Sequence, residues 1–173
     1  MIRLGLDDFS ERVNNLDLLW RLHDYFDNFK VSLFTIPDRT TRRFISYINQ
    51  LNWIDICLHG DKHEHFELIS RDRLYQLSKQ GYSKIYRPPY FELSDEMKKN
   101  LDDEEFYVPP APNWNIKDEP TKADDVHAFG HIYPHDYLSE KGNKGDSLFR
   151  FYKNIMLLPK DTKFGFYENY RTT

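Results

Sequence analysis

Short apolar runs alternate with longer amphipathic stretches along this chain. The runs predict seven short strands, at residues 2–6, 31–36, 54–58, 84–86, 105–108, 125–129 and 164–167. Between most of them, apolar residues recur every three or four positions, as in helices that bury one face. Strands separated by helices are typical of βαβ units, so the pattern predicts an α/β fold with a mostly parallel sheet.

Several helices have recognisable ends. Thr41, Ser70 and Ser94 each precede an amphipathic stretch, and a hydroxyl at that position can accept a hydrogen bond from the first helical turn. Asp17 is predicted to begin the first helix in the same way. Gly81 follows the helix that starts after Ser70, where a left-handed residue commonly ends a helix.

Polar residues that could bind or react follow four of the predicted strands. Asp7 and Asp8 follow the first strand, His59 the third and Arg87 the fourth, while His131 comes shortly after the sixth. In parallel α/β folds, sites form beyond the carboxyl ends of the strands. We therefore expect these residues to share one pocket.

Length, charge and cysteine content narrow the classes of protein. A length of 173 residues favours one domain, predicted to span residues 1–173. The 24 basic and 28 acidic residues are interspersed, with a net charge of −4, which argues against nucleic-acid binding. The single cysteine, Cys57, lies in an apolar run and is predicted to be buried and unreactive. It excludes an intramolecular disulfide.

No apolar stretch is long enough to predict a membrane span. The first predicted strand begins next to Met1 and leaves no room for a signal peptide, so a cytoplasmic location is expected. A phage or viral source is compatible with this expectation. The sequence makes no prediction about the oligomeric state.

Two of the histidines have a spacing that suits a metal site. His59 and His63 are four residues apart, so on a helical turn both imidazoles would face the same way. With one carboxylate they would form a three-ligand face that leaves positions open for water and substrate. Nitrogen and oxygen donors without thiolate suit zinc, cobalt, nickel or iron. His65 is expected to point elsewhere, and Glu64 and Glu67 are interpreted as solvated helix charges in preference to supports of the histidines.

The two adjacent aspartates need not have the same role, because neighbouring side chains diverge near a strand end. One carboxylate could complete the metal site. A divalent metal lowers the pKa of a water that it binds to about 7, and the second carboxylate could then accept the proton. Together these residue types indicate a hydrolytic site.

Four segments resemble the motifs of the polysaccharide deacetylase family, also called the NodB-homology domain or carbohydrate esterase family four. They are Leu-Asp-Asp-Phe at 6–9, His-Gly-Asp-Lys-His at 59–63, Arg-Pro-Pro-Tyr at 87–90 and Phe-Gly-His at 129–131. They occur in the family's order and cover nearly the whole chain, as in a divergent short member. The resemblance implies a distorted (β/α) barrel of about seven mostly parallel strands.

The resemblance also implies a catalytic role for three residues. Asp7 would be the base, and Arg87 would pair with it and keep it ionised and oriented. His131 would be the acid that protonates the leaving group, in preference to His127 on the same strand.

The resemblance further implies the metal ligands and the substrate contacts. The ligands would be Asp8, His59 and His63, holding zinc foremost, with cobalt, nickel or iron as alternatives. The backbone N–H of Tyr90 would stabilise the oxyanion, and the substrate-binding residues would be Tyr90, Pro89 and Trp114.

The sequence departs from the family pattern at three places. Phe9 replaces a glycine and is expected to reshape the pocket floor. Gly60 replaces a serine or threonine that bonds the loop. The aspartate-rich fourth motif is not evident; Trp114 is interpreted as its remnant, and the carboxylate partner of the acid histidine is left open between Asp124 and Asp125.

These features predict a metal-dependent hydrolase that removes an acyl group, foremost N-acetyl, from an amino sugar or glycan. Two alternatives use the same scaffold: an inactive carbohydrate-binding or assembly module, and a hydrolase of non-sugar C–N amides. A third uses the same ligands, since two histidines and a carboxylate also form the iron site of non-haem oxygenases.

Overall fold

The fold is built on a curled parallel sheet with helices packed against it. A computed structural model describes residues 1–11, 16–110, 125–129 and 148–167, and at 125–129 and 148–151 the description is of the backbone. The elements are β1 Ile2–Phe9, α1 Leu16–Tyr25, β2 Val31–Thr35, α2 Arg42–Ile48, β3 Ile54–Leu58, α3 Arg71–Lys79, α4 Asp95–Asp103, β4 Asp125–Phe129, α5 Leu148–Ile155 and β5 Phe164–Gly165.

The sheet has the strand order β3-β2-β1-β4, and β5 also pairs with β1. Every one of these pairs is parallel. Beyond β3, the predicted fourth and fifth strands each make a single parallel bridge, Leu58 with Tyr86 and Ile85 with Tyr107. The seven predicted strand segments therefore all pair in parallel, and the predicted α/β fold with a distorted barrel is confirmed.

The predicted helix starts at Thr41, Ser70 and Ser94 are confirmed. Each hydroxyl accepts a hydrogen bond from the backbone N–H three residues later, at 3.1–3.3 Å. Gly81 follows α3 with a φ of +102°, as a helix-ending glycine should. Asp17 lies within the first turn of α1 instead of before it, where its charge still favours the helix dipole.

The main hydrophobic core lies between the sheet and the helices, and Phe9 belongs to it. This side chain is fully buried, and its ring stacks on Phe44 of α2 at 6.4 Å between centroids. The prediction that Phe9 reshapes the pocket floor is therefore wrong. Cys57 is also fully buried, and burial raises the pKa of its thiol well above the ordinary value, which agrees with an unreactive cysteine. Of the helices described, none is both long enough and apolar enough to cross a membrane.

Candidate metal centre

The paired aspartates lie at an irregularity of β1. The register between β1 and β2 shifts between Leu6 and Phe9, and Asp8 has a φ of +54°. A bulge of this kind redirects neighbouring side chains. Asp7 consequently faces Arg87, whereas Asp8 faces the two histidines, so the predicted divergence is confirmed. The strand continues to Phe9, however, and the aspartates lie within it rather than after it.

Asp8, His59 and His63 converge on one point. Asp8 Oδ1 lies 2.9 Å from His63 Nε2 and 3.6 Å from His59 Nε2. One ligand atom from each residue lies within 4.8 Å of the other two. Donors bound at about 2.0–2.1 Å to a tetrahedral ion are about 3.3 Å apart, and the two distances from Asp8 bracket that value. The predicted three-ligand group is therefore close to the geometry that a metal requires.

His59 is oriented by the backbone of the next strand segment. Its Nδ1 lies 3.0 Å from the carbonyl oxygen of Arg87. Because a carbonyl can only accept, Nδ1 carries the hydrogen, and the lone pair of Nε2 is available to a metal. The ring is 4% exposed. Burial lowers the pKa of His59, although Asp7 and Asp8 nearby act in the opposite direction, so the imidazole is held in the neutral form that binds metals.

The carboxyl group of Asp8 is held in its ionised form. Burial raises the pKa of this carboxyl, but the close contacts with the imidazoles of His63 and His59 outweigh it, and the pKa of Asp8 is lowered. The carboxylate is therefore ionised at neutral pH. An ionised carboxylate and a neutral imidazole are the forms in which these side chains bind a divalent cation.

The segment 59–63 is a loop, so the predicted helical turn is wrong. Gly60 and His63 have φ values of +72° and +68°. Glu67 is buried, and its carboxylate accepts hydrogen bonds from the backbone N–H groups of Asp61, Lys62 and His63 at 2.8–3.2 Å. The interpretation of Glu67 as a solvated helix charge is therefore also wrong. A Cβ added to Gly60 would overlap Glu67 Oε2, which explains the absence of a side chain at position 60.

Arg87 forms a buried ion pair with Asp7. Nη1 lies 2.8 Å from Asp7 Oδ1, and the two side chains are 1% and 2% exposed. Nη2 donates to the hydroxyl of Tyr167 at 3.0 Å, and the guanidinium carbon lies 3.8 Å from the ring centroid of Phe34. Sequence reasoning missed Phe34 and Tyr167. Tyr167 follows a strand that is parallel to β1. Because sites form beyond the carboxyl ends of parallel strands, its position could have identified it.

Tyr90 borders the metal group. Its ring centroid lies 4.9 Å from that of His63, and its side chain is exposed. The Tyr90 ring also stacks on that of His65, with 3.7 Å between centroids, and His65 Nδ1 lies 2.7 Å from a carboxylate oxygen of Glu92. As predicted, His65 is not a member of the metal group. Pro89 is buried close to the loop at Gly60.

The predicted acid His131 and the predicted contact Trp114 lie outside the described residues, as does Asp124. Strand β4 runs beside β1 with Phe129 opposite Asp7. Asp125 is opposite Arg3, at the far end of the same strand. Of the two carboxylates considered as partners of the acid, Asp125 thus begins the strand at the end away from Asp7.

No protein-family model matches the sequence, and neither does any curated protein. Several solved structures do match nearly all of the chain. The peptidoglycan deacetylase PdaC of Bacillus subtilis matches at 15% identity with a TM-score of 0.67, over 99% of this chain and 90% of that one. The chitin deacetylase of the fungus Colletotrichum lindemuthianum matches at 11% identity and a TM-score of 0.63, over 97% and 85%.

A family 4 acetyl xylan esterase of Clostridium thermocellum, in complex with a cobalt ion, matches at 16% identity and a TM-score of 0.58, over 99% of this chain and 90% of that one. These three proteins share one fold with the present chain. The chain therefore has the fold of the NodB-homology polysaccharide deacetylases, as its motifs predicted.

Proposed function

We propose that this chain is a metal-dependent hydrolase, a single catalytic domain over residues 1–173, that removes an acyl group, foremost N-acetyl, from an amino sugar or glycan. One observation carries the proposal. Asp8, His59 and His63 converge within 4.8 Å, and a second carboxylate, Asp7, is held beside them by a buried arginine. The shared fold with deacetylases and an esterase of acetylated glycans supports the choice of substrate.

The donor set fits a divalent cation. A carboxylate oxygen and two imidazole nitrogens suit zinc foremost, with cobalt, nickel and iron as alternatives. Such an ion would polarise the acyl carbonyl and lower the pKa of the attacking water. The protein's part is to keep Asp8 ionised and His59 neutral, and the pKa directions of both residues agree with that.

The proton transfers are assigned to residues of the chain. Asp7 would accept a proton from the water as the water oxygen bonds to the acyl carbon. Arg87 orients the carboxylate of Asp7 through the 2.8 Å contact. As the C–N bond breaks, His131 would give a proton to the leaving nitrogen, so that the products are a carboxylate and an amine. An ester would release an alcohol by the same steps.

Substrate contacts are proposed on the exposed side of the centre. The backbone N–H of Tyr90 would donate to the oxyanion that forms on the acyl carbon. The ring of Tyr90, exposed beside His63, is placed to contact a sugar. Trp114 is proposed to complete this contact surface, whereas the burial of Pro89 argues against the substrate contact that the resemblance implies for it.

Acetate release tests the proposal. Protein loaded in turn with zinc, cobalt, nickel and iron is offered N-acetylated glucosamine oligomers and O-acetylated xylan. Asp7→Asn should lower turnover by about 10²–10⁴-fold, because the base is lost. Its metal affinity should stay nearly unchanged, which would show that the variant is folded despite the loss of the buried ion pair. Asp102→Asn, an exposed aspartate in α4, is the matched control and should retain full turnover.

Other outcomes would point to the alternatives. Sugar binding without acetate release, with all four metals, would favour a binding module. Hydrolysis confined to non-sugar N-acyl compounds would favour an amide hydrolase. Oxygen uptake with a 2-oxoacid would favour an oxygenase. Each of these results would contradict the proposal.

A further inference from the structure

The carboxylate of Glu67 lies in a cradle of backbone N–H groups that precede it in the chain. Its Oε1 accepts from Asp61 at 3.0 Å and from Lys62 at 2.8 Å. Its Oε2 accepts from His63 at 3.2 Å and from Glu64 at a longer 3.5 Å. Consecutive N–H groups that converge in this way form an anion-binding concavity, and here the anion belongs to the protein itself.

The N–H groups of this cradle belong to a strained turn. His63 has a φ of +68°, a conformation that a residue with a Cβ rarely adopts. Glu67 accepts a hydrogen bond from the N–H of that same residue. The turn brings His63 Nε2 to 2.9 Å from Asp8 Oδ1. The backbone conformation that Glu67 stabilises is thus the one that places this imidazole in the metal group.

The neighbouring glycine makes room for this arrangement. Gly60 has a φ of +72°, and a Cβ there would overlap Glu67 Oε2 and lie 2.8 Å from Pro89 Cγ. Asp61 is fixed on its other side as well, since Arg73 donates to both of its carboxylate oxygens at 2.7 and 2.9 Å. The loop is therefore held from its own interior by one buried carboxylate and from outside by an ion pair.

We infer that Glu67 is a positioning residue of the metal centre, which holds the loop in its ligand-binding conformation before a metal arrives. Glu67 contacts the metal group through the backbone N–H of His63 and not through its ligand atom. The inference rests on the metal site of the proposed function and adds a residue to which the fold comparison assigns no role.

Cobalt titration of the metal-free protein tests this inference. Glu67→Gln keeps the shape of the side chain but replaces one acceptor oxygen with an amide group that cannot accept. We expect cobalt affinity to fall about 10–100-fold, as is usual when an outer partner of a ligand is removed, with a changed visible spectrum of the bound cobalt. Glu64→Gln makes the same change of charge on an exposed residue of the same loop. Its cobalt affinity should stay within about twofold of that of the wild type.

Two results would overturn the inference. One is wild-type affinity and spectrum in Glu67→Gln. The other is an equal loss in Glu64→Gln, which would indicate a general effect of charge. Should Glu67→Gln fail to fold, amide hydrogen exchange of the metal-free wild type replaces it: the amides of Asp61, Lys62 and His63 should exchange slowly, and rapid exchange of all three would overturn the inference.

These results are separable from a failure of the proposed function. Wild-type protein that binds cobalt but releases no acetate would refute the hydrolase and leave the role of Glu67 intact. Unchanged cobalt affinity in Glu67→Gln, with an active wild-type enzyme, would refute only the role of Glu67.

Discussion

Replacing Arg87 with methionine should be among the most destabilising single changes in the described part of the protein. Arg87 and Asp7 are 1% and 2% exposed, and their charged atoms are 2.8 Å apart. Methionine fills much of the same volume, so the change mainly removes the cation from beside a buried carboxylate, together with the hydrogen bond to Tyr167. Removing one partner of a buried ion pair costs about 3–5 kcal/mol, and we expect a loss of that size.

Urea unfolding of the metal-free protein measures this cost. The double variant Asp7→Asn, Arg87→Met removes both charges and should be more stable than Arg87→Met alone, because no buried charge then lacks its cation. Arg73→Met is the control, since Arg73 pairs with Asp61 at 2.7 Å but is 35% exposed; its loss should cost about 1 kcal/mol or less. Equal costs for the two arginines, or no recovery in the double variant, would refute the reasoning.

Two further predictions concern the histidine loop. Burial lowers the pKa of His59 below its ordinary value of 6.5, so below that pH the unfolded chain binds a proton that the folded protein does not. The free energy of unfolding of the metal-free protein should therefore fall from pH 7 to pH 5, and it should fall less steeply in His59→Gln. Urea unfolding at several pH values measures this, and the same dependence on pH in both proteins would contradict the prediction. Gly60→Ala should cost about 1–3 kcal/mol through its φ of +72° and the overlap with Glu67. Gly165→Ala, whose methyl group would first meet the flexible side chain of Met1, should cost less in the same assay, and equal costs would count against the steric account.

Much of the fold could be predicted because its signals are local. A hydroxyl at Thr41, Ser70 or Ser94 begins a helix through a hydrogen bond within the same turn. Alternation of apolar strands with amphipathic helices requires parallel pairing, and parallel pairing gathers the carboxyl ends at one edge. The pattern therefore predicts that Asp8 and His59 lie close together, as they do in the structure.

Features that depend on distant contacts could not be predicted. The conformation of residues 59–63 depends on hydrogen bonds to Glu67. The sequence indicates a solvated charge at that position, whereas the structure buries the carboxylate. The divergence of Asp7 and Asp8 could be predicted, but the register shift against β2 that produces it depends on strand pairing and not on local sequence. The fourth predicted strand makes only a single bridge to β3, and Pro88 and Pro89 beyond it have no N–H to continue the ladder.

Cobalt X-ray absorption of the loaded protein tests the metal centre most directly. The account predicts one cobalt ion per chain with two imidazole nitrogens and further oxygen donors at about 2.0–2.1 Å. It also predicts that His59→Gln and His63→Gln each remove one imidazole from the spectrum. A cobalt ion with no imidazole ligand, or a spectrum unchanged in both variants, would contradict the central claim.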